Sequence, residues 1–242
     1  MARLLVESFE GAGYENSDPP VADWTETVGD GCTVEPDSTA VARPTNGGDQ
    51  ILEIISAASG YQAQAERDLG SDKAVTYTRV YVQIATGHSI NANGEILELF
   101  WGFDSTWIQP WLVDLYHDGT DICFRFQYHT IGGWSADYSG YISEDTWYCV
   151  EVYYNATAEE WEWKIDGVSE GSGALVDAHA LGLKLLYVGK INSGNQQTGT
   201  TYFDLVAIDD ADWVGVETGA GRTTHNTDAF PLGVNVGMSF RM

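Results

Sequence analysis

Arg125, Gln127 and His129 occupy alternate positions of the run DICFRFQYH (121–129). A strand has a side-chain period of two, so all three point the same way. A guanidinium or amide there could neutralise a substrate carboxylate while an imidazole, helped by a tyrosine, removes and returns protons. That set suits proton abstraction beside a uronate carboxyl. The same row could instead hydrogen-bond a sugar without chemistry, or form one solvated face of a sheet.

Aromatic side chains accompany this row. Trp107 and Trp111 stand in WIQPW beside Gln109, and Trp134 and Tyr138 stand in WSADYSGY (134–141) beside Ser135 and Asp137. Aromatic rings stack on the apolar C–H faces of sugars, and neighbouring polar groups orient the ligand. Trp107, Trp111, Arg125, Gln127, His129, Trp134 and Tyr138 are therefore the candidate ligand-binding residues. Trp101, in step with Leu97 and Leu99, and Trp163, in step with Ile165, are expected in the core.

Glycoside hydrolysis with retention needs two carboxyl groups about 5–5.5 Å apart. Glu95 and Glu98 are three positions apart, so a strand turns them to opposite faces. Glu160 and Glu162 share a face but flank Trp161 beside a hairpin, where solvated charge is the ordinary explanation. Binding without catalysis is the reading favoured by these residues, and a polysaccharide lyase or hydrolase is the alternative.

The elements that would carry them are strands. Alternation of β-branched and aromatic residues marks 74–85, 95–103, 111–117, 121–129, 147–154, 161–166 and 201–208. Asp118-Gly119 joins two of these runs and Asp166-Gly167 ends another, and Asx-Gly is a hairpin signal because both residues tolerate positive φ. No 3.6-residue apolar period persists, and residues 173–184 have room for one helical turn. The fold class is all-β, a two-sheet antiparallel sandwich. A domain over 1–215 and a C-terminal extension over 216–242, either an edge strand or an assembly arm, follow from the small, polar composition after Gly215.

Composition limits the partners. The 242 residues carry 36 acidic and 11 basic side chains, a net charge of −25. Such a field repels nucleic acid and anionic membranes. The apolar stretch at Leu4–Val6 is too short for an export signal or a membrane span. Cys32, Cys123 and Cys149 form no CxxC pair, and buried free thiols are expected, with a Cys123–Cys149 pairing left open.

LLVESFEG (Leu4–Gly11), TWYCVEVYYNATAEEWEWKIDG (Thr146–Gly167) and TYFDLVAIDD (Thr201–Asp210) together resemble the concanavalin A-like lectin and glucanase superfamily. The resemblance implies a jelly roll whose first and last strands pair. It also implies a structural calcium where they meet, with Glu10 and Asp204 as ligands and Asp49 as a third contributor. The E-x-D-x-x-E and E-x-D-x-E strands of its retaining glucanases have no counterpart here. Gln127-Tyr128-His129 resembles the Q-I/V-H triplet of jelly-roll alginate lyases with Tyr in place of the aliphatic residue, while that family's R-S/T-E-L and Y-F-K-A-G-x-Y strands are absent. The opening segment is also similar to virion proteins of tailed bacteriophages that carry this fold. That similarity implies a virion location, with other virion proteins or further copies of the chain as partners and surface polysaccharide as a ligand.

Overall fold

The computed structural model describes residues 4–7, 9, 24–37, 51–57, 61–130, 132–175, 181–190 and 197–216. The strands are β1 (Leu5–Glu7), β2 (Trp24–Val28), β3 (Thr33–Asp37), β4 (Ile51–Ser56), β5 (Ala63–Lys73), β6 (Val75–Ile84), β7 (Ile96–Phe103) and β8 (Trp111–His117). They continue as β9 (Ile122–Thr130), β10 (Gly133–Tyr141), β11 (Trp147–Asn155), β12 (Glu160–Ile165), β13 (Val168–Ala174), β14 (Leu183–Lys190) and β15 (Gly199–Asp209). No helix occurs among the described residues.

Two antiparallel sheets form a jelly-roll sandwich. The back sheet runs β13-β12-β11-β6-β15-β4-β3, with β1 also paired to β15, and the front sheet runs β10-β9-β8-β7-β14-β5-β2. Among the described residues the first and last strands, β1 and β15, pair, with Leu5 opposite Ile208 and Glu7 opposite Val206. Asp166 and Gly167 both take positive φ, 51° and 79°, in a two-residue turn that sets Ile165 opposite Val168. This is the geometry a type I′ hairpin demands.

The core lies between the sheets. Trp111, Val113 and Leu115 of β8 and Phe124 and Phe126 of β9 face Val150, Val152, Trp161 and Trp163 of the back sheet. Phe126 stacks on Trp163 with centroids 5.8 Å apart, and Phe124 meets Tyr148 edge-on at 5.3 Å. Burial of such rings supplies most of the driving force for pairing the sheets.

Two sequence expectations change here. Trp111 is fully buried against Phe100 between the sheets, not exposed to ligand. Its parity on β8 is that of Val113 and Leu115, which fixes it inward. Trp101 is buried as expected, but on the other face from Leu97 and Leu99. A register shift between Glu98 and Phe100 inserts one residue into β7, and everything after it changes sides. Trp101 therefore joins Phe103, Leu112, Leu185 and Tyr187 in a second cluster on the outer face of the front sheet.

Candidate functional site

The outer face of the front sheet holds the row predicted from sequence. On β9, Phe124 and Phe126 point into the core, so Arg125, Gln127 and His129 point out. On β10 their partners are Tyr138, Ala136 and Trp134 in that order. Trp134 is 44% exposed and Tyr138 48% exposed. The His129 ring lies nearly parallel to the Trp134 indole, 4.9 Å between centroids and 14° between planes. Ala136 separates the two exposed rings with a small side chain opposite Gln127. A slot floored by polar groups and walled by aromatics results.

Asp114, which the sequence reading did not single out, organises the floor. On β8, it lies opposite Arg125 of β9 and opposite Glu98 of β7. Its carboxylate is fully buried and accepts Arg125 Nε at 2.9 Å and Nη2 at 2.6 Å. Gln127 Nε2 donates to the same carboxylate at 3.0 Å. The bidentate fork fixes the guanidinium plane over the Tyr116 ring, 4.8 Å from its centroid, and Tyr116 in turn packs on Tyr138 at 5.4 Å. Burial pushes the Asp114 carboxyl up to about 6, although Arg125 and Gln127 pull it down. At neutral pH the Asp114–Arg125 pair is ionised and carries no net charge.

Ser135 and Asp137 do not join the slot. They pair with Tyr128 and Phe126, and so face the back sheet. Asp137 accepts the Trp163 indole N–H at 2.9 Å, which satisfies a polar group buried in the core. Glu95 lies before β7 and accepts the Asn91 and Ala92 amides, so it and Glu98 do not form a catalytic pair. Trp107 sits in the β7–β8 connection, 67% exposed.

Of the three residues expected to hold calcium, only Asp204 lies among the described residues. Glu10 and Asp49 lie outside the described residues. Asp204 is fully buried at a register shift in β15, where its carboxylate accepts the Leu205 amide at 2.7 Å. Among the described residues no three His, Cys, Asp or Glu side chains cluster as a metal site. All three cysteines are buried and free.

No protein-family model and no curated protein matches the chain. Solved structures do. An endo-β-1,4-glucuronan lyase from the fungus Trichoderma reesei superposes with a TM-score of 0.59 at 11% identity, covering 89% of this chain and all of that one. The cellulose induced protein Cip1 gives 0.60 at 12% identity, over 84% of this chain and 99% of that one. The botulinum neurotoxin serotype D ligand binding domain, in complex with N-acetylneuraminic acid, gives 0.50 at 11% identity over 77% of this chain and 42% of that one. At such identities the likeness shows the fold alone, a jelly-roll-like β-sandwich.

Proposed function

We propose that the front-sheet slot binds a glycan without cleaving it, and that the glycan is neutral. The observation that supports this reading is the pairing of two exposed aromatic rings, Trp134 and Tyr138, with a rigid polar floor of Arg125, Gln127 and His129. Large rings left half-exposed four residues apart on one face of an edge strand are what sugar stacking requires. Neutrality follows from charge. The one guanidinium in the slot is already matched by Asp114, and the surrounding protein carries −25. A polyuronate would meet repulsion with no uncommitted cation to offset it.

The second reading, a lyase or hydrolase, is favoured by one observation: Arg125, Gln127 and His129 share an outward face. Against it stands the bidentate lock, which commits to Asp114 the group that would neutralise a uronate. A glycan array over neutral and anionic glycans tests the binding reading, with Trp134→Ala expected to abolish the signal. Turnover of any polysaccharide, followed by reducing ends and by ultraviolet absorbance of unsaturated uronates and lost in His129→Ala, would replace it with the enzymatic one. The setting we infer is a bacteriophage virion, where the domain serves adhesion or assembly alone or as a homo-oligomer. Its support is the similarity of the opening segment, and its test is recovery of the chain in purified particles. A structural calcium held by Glu10, Asp49 and Asp204 belongs to the same proposal.

A further inference from the structure

The β7–β8 connection is built to hold one exposed indole still. Asp104, at its start, is buried and accepts four hydrogen bonds on its carboxylate: Thr106 N at 2.7 Å, Thr106 Oγ at 2.8 Å, Ile108 N at 2.9 Å and Leu181 N at 3.0 Å. Backbone bonds from Asp104 N to Ile108 O and from Trp107 N to Asp104 O close the loop on itself. Asp72 adds a clamp, accepting Ser105 N at 2.7 Å and Ser105 Oγ at 2.5 Å. Inside this knot Trp107 takes a φ of 64°, a left-handed conformation unfavourable for a bulky side chain. Burial tends to raise the Asp104 carboxyl's pKa, and the donors outweigh it and hold the carboxyl below its usual range.

The indole so held is 67% exposed, and its ring meets Phe103 edge-on at 5.7 Å. Phe103 contacts Trp101 and Tyr187 at 5.5 and 5.6 Å, so Trp107 extends the outer-face aromatic cluster of the front sheet. The loop also lies at the same end of that sheet as Trp134. Pro110 O accepts the backbone N–H of His129 at 2.9 Å, and His129 stacks under Trp134. Trp134 on β10 and the loop joining β8 to β7 are two to three strand spacings apart, about 10–14 Å. That gap is too wide for one sugar ring to bridge.

From this arrangement we infer that Trp107 is a distal stacking platform, and that the ligand is a linear oligosaccharide lying across the strands from β10 toward β7. A solitary terminal sugar would use the Trp134 slot alone. The inference rests on the glycan-binding reading above, and it adds a second subsite and a dependence on chain length.

Calorimetric titration with cello-, laminari- and malto-oligosaccharides, each from disaccharide to hexasaccharide, tests it. Trp107→Asn is the informative variant, because Asn tolerates positive φ and leaves the knot's hydrogen bonds in place. Wild type should bind the longer members of a series about tenfold more tightly than the disaccharide. Trp107→Asn should erase that gain and leave disaccharide affinity and melting temperature unchanged, whereas Trp134→Ala should lose affinity at every length. Equal affinities for Trp107→Asn and wild type at all lengths, with Trp134→Ala impaired, would overturn the distal platform and spare the slot. Loss of disaccharide binding in Trp107→Asn would also overturn it, by placing both rings on one subsite. No binding of any series by wild type would overturn the platform, and a glycan array that is silent as well would overturn the glycan reading beneath it.

Discussion

Replacing Asp114 by Asn removes the anion that compensates Arg125 and leaves the cation in place. The Arg125 side chain is 14% exposed and Asp114 is 0% exposed, so the guanidinium is stranded in a largely dry site. Breaking one partner of such a pair costs about 3–5 kcal/mol. Burial already raises the Asp114 carboxyl to about 6, so removing its charge returns roughly 3 kcal/mol, and the Tyr116 face, 4.8 Å from the guanidinium carbon, offsets a little more; the net cost we expect is about 1 kcal/mol. In a domain of this length 1 kcal/mol moves the melting temperature by roughly 2–4 °C, so the fall should be about that size. Arg125→Met should cost less, because the abandoned carboxyl can take up a proton. The double variant Asp114→Asn/Arg125→Met should recover toward wild type, since burying two neutral groups avoids the desolvation the ion pair suffers. Thermal melts followed by circular dichroism at neutral pH close the cycle. Single-variant losses that add to within about 0.5 kcal/mol in the double variant would refute the coupling.

Four further outcomes are expected. The Asp114 carboxyl titrates at about 6, above its unfolded value, so its contribution to stability is fullest below about pH 4 and is lost as pH rises through 6; the melting temperature of Asp114→Asn relative to wild type, followed across that window, should change with this sign. The same protonation leaves Arg125 without its counter-charge, so affinity for sialylated or uronate glycans should rise as pH falls from 7 to 5 while affinity for neutral glycans stays flat; titrations at the two pH values separate the ligand classes. Burial pushes the Cys123 thiol up to about 11 and Cys149 higher still, so a thiol-specific label at pH 8 should modify neither until denaturant is added. If Asp204 helps hold calcium, chelation should lower the melting temperature and added calcium restore it in proportion to its concentration, and an unchanged melt across the titration would remove the site.

Strands with one apolar face were legible because alternation reports burial. Residues 75–84 place Val80, Val82 and Ile84 in the core and Tyr77, Arg79 and Tyr81 outside it, as the period of two requires. The β10 strand carried no such signal. Its inward positions are Ser135, Asp137 and Ser139, and Asp137 serves the Trp163 indole, so a polar inner face hid an edge strand inside an aromatic-rich stretch. Central strand β14 was hidden for the opposite reason: LKLLYVGK is apolar on both faces because the Trp101–Tyr187 cluster covers its outer side.

Parity, where it survives, also locates the site. His129, Trp134 and Tyr138 came together because β9 and β10 pair without interruption from Gly133–Thr130 to Tyr138–Arg125. The one acidic residue of WLVDLYH carried a readable hint. Asp114 interrupts an apolar run on the face that also bears Arg125, and a lone carboxylate beside a cation at cross-strand spacing is a candidate ion pair. What no single strand could reveal is the inserted residue in β7. That bulge moves Trp101 from the core to the outer face, where with Phe103 it forms the base against which Trp107 stands. The reach of the aromatic surface toward β7 is thus set by one unpaired backbone position, and a deletion restoring strict alternation in β7 would turn Trp101 inward and remove that base.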